Sequence, residues 1–166
     1  MEPVFARSFG IDPANGRELR YLQLAAPTDL RAEQLPSAPF VCLVAWHVDR
    51  GAIEHVAITL LDAGVSCVST FGPGCELLHD WIDESLVMRN IERDREDFVM
   101  TTWHDKDSQD DVLQFVLRST AFDEPPPRPM LVLEIGEVFT DRVRLFAALA
   151  DPVAFDAGYR RLDDDY

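Results

Sequence analysis

Phe40-Val41-Cys42-Leu43-Val44-Ala45-Trp46 is an apolar run of strand length with no polar interruption. A strand with one wet face alternates apolar and polar residues. A continuous run suits a strand covered on both faces, the situation of a parallel sheet with helices above and below. The residues that follow fit that reading. Asp49 is placed to cap a helix, and Ile53, Val56, Ala57, Leu60 and Leu61 recur at helical spacing. Gly64 then stands where a helix commonly ends on a residue of positive φ.

The pattern repeats downstream. Val65 to Phe71 reads as a second strand and Gly72-Pro73-Gly74 as a turn. A helix is expected from Cys75 to Val87, with Leu77, Leu78, Trp81 and Ile82 on one side and His79, Asp80, Asp83 and Glu84 mostly on the other. Glu92 to Asp97 is a charge run of the kind found in solvated loops. Phe98 to Trp103 is a third strand. Ser108 with Asp111 forms a capping box before a helix carrying Val112, Phe115, Val116 and Ser119. Prolines end that helix, and Met130 to Ile135 is a fourth strand. Arg142 to Ala150 reads equally as a helix or a fifth strand, and Asp151-Pro152 opens a short last helix. Upstream, Phe5 to Leu24 predicts two short strands around the turn Asp12-Pro13-Ala14-Asn15-Gly16, and Ala26 to Pro39 a proline-marked linker.

Strands alternating with helices define a three-layer α/β fold with a mainly parallel sheet. Right-handed crossovers leave few topologies. The expected order of the four strands is 2-1-3-4, as in flavodoxin-like and half-Rossmann sheets, with an N-terminal β-hairpin. Residues 1–38 form hairpin and linker, and 39–166 the α/β unit, in one compact domain overall.

A chain of 166 residues with 47% hydrophobic residues can bury a core of its own. Thirty acidic residues against fifteen basic ones leave a formal charge of −15. That balance argues against nucleic acid, whose affinity comes chiefly from neutralised phosphates, and for solubility or a basic protein partner. Cys42, Cys67 and Cys75 form no CxxC pair, so neither a disulfide framework nor a zinc finger is expected. The amino terminus has no signal-peptide pattern, and no apolar run approaches the roughly 20 residues that span a bilayer. A cytoplasmic protein with no membrane association is expected. There is no GxGxxG, no GxxxxGK[ST] and no GxSxG, so no cofactor is implied, and the alternative of a Cys-His metal site lacks a close-spaced ligand pair such as HxxxH, so no metal is expected.

Ligands of open parallel sheets bind at the carboxyl ends of the strands where the order reverses. In a 2-1-3-4 sheet, the first and third strands flank that point. The first ends in Trp46-His47-Val48-Asp49 and the third in Trp103-His104-Asp105, while Cys75 follows the second at a helix N-terminus. Cys75, His47 and His104 are therefore expected to converge. A helix N-terminus and an imidazole both favour a thiolate, which suits a nucleophile with a histidine base, oriented by Asp105, Asp49 or Asp80. Trp46, Asp49, Trp103 and Asp80 are candidate binding residues. The plainer interpretation makes Asp49 a helix cap, the tryptophans cover for the sheet edge, and the histidines solvated strand ends.

Asp97-Phe98-Val99-Met100-Thr101-Thr102-Trp103-His104, with Gly74-Cys75 and His79-Asp80-Trp81, resembles a family of small bacterial α/β proteins of no known function. The resemblance covers Phe40 to Ile135 and implies bacterial origin but no particular activity. Two functional classes follow from the residues. One is a small acidic binding or regulatory module, of immunity or antitoxin type, acting on a basic protein. The other is a Cys-His hydrolase or transferase.

Overall fold

The computed structural model describes residues 4–122 and 125–163. Six strands make one sheet: β1 (Arg7–Ile11), β2 (Glu18–Leu24), β3 (Phe40–Trp46), β4 (Val65–Phe71), β5 (Met100–His104) and β6 (Met130–Ile135). Five helices accompany them: α1 (Ile53–Asp62), α2 (Cys75–Arg93), α3 (Gln109–Arg118), α4 (Arg142–Ala150) and α5 (Pro152–Asp163). Arg142 to Ala150 is thus helical, and α2 continues to Arg93, into the first two residues of the charge run that the sequence assigns to a loop.

The strand order is β1-β2-β6-β3-β4-β5, parallel throughout except for the antiparallel β1–β2 hairpin. This corrects the expected 2-1-3-4 arrangement. The strand from Met100 stands at the edge beyond β4, and Met130–Ile135 takes the place beside β3. Composition explains the choice. Every residue of β6 is buried, as a central strand requires, whereas β5 carries Thr101, Thr102, Trp103 and His104 and is mostly half-buried. Polar residues are tolerated at an edge and costly in the middle. The hairpin joins the same sheet, because β2 pairs in register with β6 from Leu19–Met130 to Leu24–Ile135.

The two faces are closed by different helices. Phe40, Cys42, Val44 and Trp46 point towards α1 and α2, where they meet Val56, Leu60, Leu78 and Ile82. Val41, Leu43 and Ala45 point the other way, towards Val112, Val116, Leu145 and Leu149 of α3 and α4. The chain moves from β3 to β4 to β5 in one direction and then returns to β6. Right-handed crossovers therefore place α3 on the face opposite to α1 and α2.

Local signals hold where they concern backbone polar groups. Ser108 accepts from the Asp111 amide and Asp111 reaches back to Ser108, so α3 starts on a full capping box. Asp151 accepts from the Ala154 amide at the start of α5. Asp49 behaves differently: α1 begins after Ala52, and the Asp49 carboxylate accepts instead from Gly51 within the preceding turn.

Candidate functional site

With the order corrected, the reversal lies between β3 and β6 rather than between the first and third strands of the parallel series. Ala45 of β3 stands opposite Glu134 of β6 there. Glu134 is fully buried. A carboxylate can stay ionised in such a place only if its lone pairs are met. They are: Oε1 accepts from the Tyr21 hydroxyl (2.5 Å) and Arg142 Nε (3.0 Å), and Oε2 from the amides of Val138 (2.7 Å) and Phe139 (2.8 Å). Burial alone would raise its pKa, but these donors outweigh it and hold the carboxyl below the ordinary glutamate range. Burial, reinforced by the Glu134 charge, drives the Tyr21 phenol upward.

The two amide bonds fold the 136–141 loop inward over the strand ends. Phe139 stacks on Phe71 of β4, with centroids 5.7 Å apart. The turn after β4 closes from the other side. A Cβ at Gly72 (φ +107°) would lie 2.6 Å from the Trp46 carbonyl oxygen and 3.1 Å from Val138, so no side chain fits there. The crevice that open α/β sheets use for ligands is filled by the protein's own chain.

The candidate residues surround this plug, and Cys75 lies against the main chain of His104 and near the Asp105 charge, while the His104 imidazole has other partners. Cys75 begins α2 but is buried, at 1% exposure. Burial pushes its thiol up and the Asp105 charge adds to this, against weaker opposition from the His104 main chain and the Thr70 hydroxyl. Helix position thus loses to desolvation. The His104 imidazole is tied elsewhere, with Nδ1 2.5 Å from Asp107, Nε2 3.1 Å from Thr102 Oγ1, and its ring against Phe115. His47 and Asp105 are exposed, and Trp46 belongs to the core. Trp103 and Asp80 are brought together through His79. That ring lies 4.6 Å from Trp103, with Nδ1 3.0 Å from Asp80 and Nε2 3.5 Å from Asp83.

Among the described residues, no group of three or more His, Cys, Asp or Glu is placed to hold a metal ion, and no helix is long and apolar enough to cross a membrane. All three cysteines are unpaired and buried, with the Cys67 thiol pushed up to about 11, chiefly by burial. A thiol reagent such as Ellman's is therefore expected to leave Cys75 unreacted in the native state and to titrate all three thiols in denaturant. A rapid native reaction at Cys75 would contradict this placement.

Glu134 is the residue that sequence reasoning passed over. A single carboxylate within Met130-Leu131-Val132-Leu133-Glu134-Ile135 is a usable signal, because a charge in a strand buried on both faces must have partners. The identity of Tyr21 was not readable, since it comes from a distant segment, and Arg142, Val138 and Phe139 reach Glu134 only through the fold of the loop after β6.

An α/β fold with a plugged switch point is the class this geometry defines. The chain belongs to the family described as "Domain of unknown function (DUF7684)", whose model matches residues 19–151. No curated protein and no solved structure matches it.

Proposed function

We propose that this protein is an acidic binding module that recognises a basic protein partner through the carboxyl end of its sheet. The observation that carries the reading is the rim around the plug. Asp49, Glu76, Asp105, Asp107, Glu137 and Asp141 are all exposed there, accompanied by Arg50, Lys106 and Arg144 as exposed cations. With the crevice filled, what this end offers is a surface rather than a cavity. Carboxylates of one sign steer a basic partner and accelerate its association. Trp103, 45% exposed beside His79 and near the Asp80 and Asp83 carboxylates, supplies an aromatic face suited to a lysine or arginine side chain. A hydrolase or transferase built on Cys75 would need an accessible thiolate, and a 1% exposed thiol gives it little support.

Two charge-matched variants test the proposal with an oligoarginine probe. Asp105→Asn/Asp107→Asn/Glu137→Gln removes rim charges, and Glu92→Gln/Glu96→Gln/Asp97→Asn removes as many from the far end of α2. Exposed pairs contribute up to about 1 kcal/mol each, so the rim variant should bind roughly tenfold more weakly at low salt, and the control much less so. Equal weakening in both would reduce the effect to net charge and overturn the proposal.

A further inference from the structure

A second feature lies at the opposite end of the sheet. Pairing of β4 with β5 begins only at Cys67–Met100. Before that point the strands part, and between Val65-Ser66 and Phe98-Val99 lies a cavity of about 420 Å³. That is within the size range of small-molecule sites. Its walls combine apolar side chains, among them Leu61, Val65 and Leu86, with Arg89 and Arg93 from the end of α2 and Arg95 just beyond it. The outer wall is held in place. Asn90 bonds the main chain of Asp97 in both directions, 2.9 Å to its carbonyl and 3.2 Å from its amide.

Charge decides what the cavity suits. Arg89 pairs with Asp62, and Arg95 lies 3.9 Å from Asp97. Arg93 has no carboxylate partner among the described residues. Three cations against two carboxylates leave one positive charge in a protein of formal charge −15. Phe98 lines the same cavity and is 83% exposed, leaving an aromatic face that a ligand's apolar body would cover.

We propose that this cavity binds a small monocarboxylate with an apolar body, the carboxylate on Arg93 and the tail between Val65, Leu86 and Phe98. A single guanidinium without a partner matches one negative charge. A phosphate dianion would meet Asp62 and Asp97 with only one charge compensated. An uncharged tail would bury apolar surface but leave Arg93 unmatched.

The test is an amide-shift titration of the full chain with octanoate, octanol and inorganic phosphate, at low salt and below micelle-forming concentrations. Octanoate is expected to give saturable shifts centred on Arg93, Phe98 and Val99. A charged hydrogen bond lost from the site should weaken binding roughly tenfold, so octanol on the wild type and octanoate on Arg93→Gln should both bind about that much more weakly. Arg50→Gln, at the other end of the sheet, should match the wild type. Arg93 is exposed, so its substitution leaves the fold intact, which circular dichroism checks. Phe98→Ala provides an independent variant, expected to weaken octanoate binding with the Arg93 charge in place. Absence of saturable octanoate shifts overturns the proposal. So does unchanged affinity in Arg93→Gln, equal binding of octanol, or equal binding of phosphate.

Discussion

Glu134→Gln should destabilise the protein by about 3 kcal/mol or more at neutral pH, as expected when a buried carboxylate that satisfies four donors is neutralised. The substitution keeps the shape of the side chain but leaves one acceptor oxygen where there are two. Glu134 receives four donors, two on each oxygen. Whichever way the amide is turned, its NH₂ faces two donors. Either Tyr21 and Arg142 or the amides of Val138 and Phe139 then lose their acceptor, and each unmet buried donor costs about 1–3 kcal/mol. The Arg142 guanidinium also loses its counter-charge. The loss should appear first in the 136–141 loop as faster amide exchange, and globally as a lower urea midpoint with an unchanged slope.

The same group makes stability depend on pH with a definite sign. Its folded pKa is depressed, so the carboxylate's contribution is complete above the unfolded value of about 4.3 and is lost as pH falls through the lower folded value. The difference between wild type and Glu134→Gln should therefore shrink on acidification below that range. Urea unfolding across the acid range measures it. A difference under about 1 kcal/mol at pH 7 would mean that the network is not the support described here.

Arg17→Ala should have an effect of similar size, about 3 kcal/mol or more, from unmet carbonyls and the space left behind. Arg17 is 2% exposed and reaches across to the end of α3. One guanidinium nitrogen donates to the carbonyl and hydroxyl of Thr120 (3.3 and 3.1 Å), the other to the carbonyls of Val116 and Leu117 (both 2.8 Å). The last carbonyls of a helix have no partner within it. Here a side chain of the hairpin supplies donors, and a cation at that end also suits the helix dipole. Burial lowers the Arg17 pKa to about 10, with the charge of Asp12 opposing that shift. Arg17→Lys should recover less than half of the loss, because an ammonium cannot span the same fork of acceptors. Equilibrium unfolding of both variants, with amide exchange at Ser119 and Thr120, tests the ordering. Full recovery by lysine would show that charge, not geometry, is what α3 requires.

These two residues mark where pattern reading stops. β3 and β6 begin and end where their apolar runs do, β4 spans the Val65 to Phe71 segment read as a strand, and the caps of α3 and α5 follow from Ser108, Asp111 and Asp151, because these features depend on neighbours within a few residues. The end of α2 was harder to see. Glu92 to Asp97 looks like a loop by composition, yet α2 continues to Arg93 and closes on Asp94 at φ +50°. Exposed charge is as compatible with a helix surface as with a loop.

The candidate site was legible only in part. Trp103 and Asp80 each contact His79, since β5 and α2 are neighbours in space. The expected grouping of Cys75 with His47 and His104 depended on strand order and on which face of the sheet each side chain takes. Thr102 and His104 share the face that meets Phe115 of α3, and Cys75 is sealed at the start of α2.

Alternation of strands and helices, with a sheet covered on both faces, follows from the Phe40–Trp46 run and the periodic segments after it, because apolar surface has to be covered wherever the chain finally goes. The position of β6 beside β3, the filled crevice and the partners of Glu134 and Arg17 are facts of another kind. Several rest on contacts about a hundred residues apart in the chain, Tyr21 with Glu134 and Arg17 with Val116 among them. Desolvation makes those contacts obligatory, but nothing local names the partner.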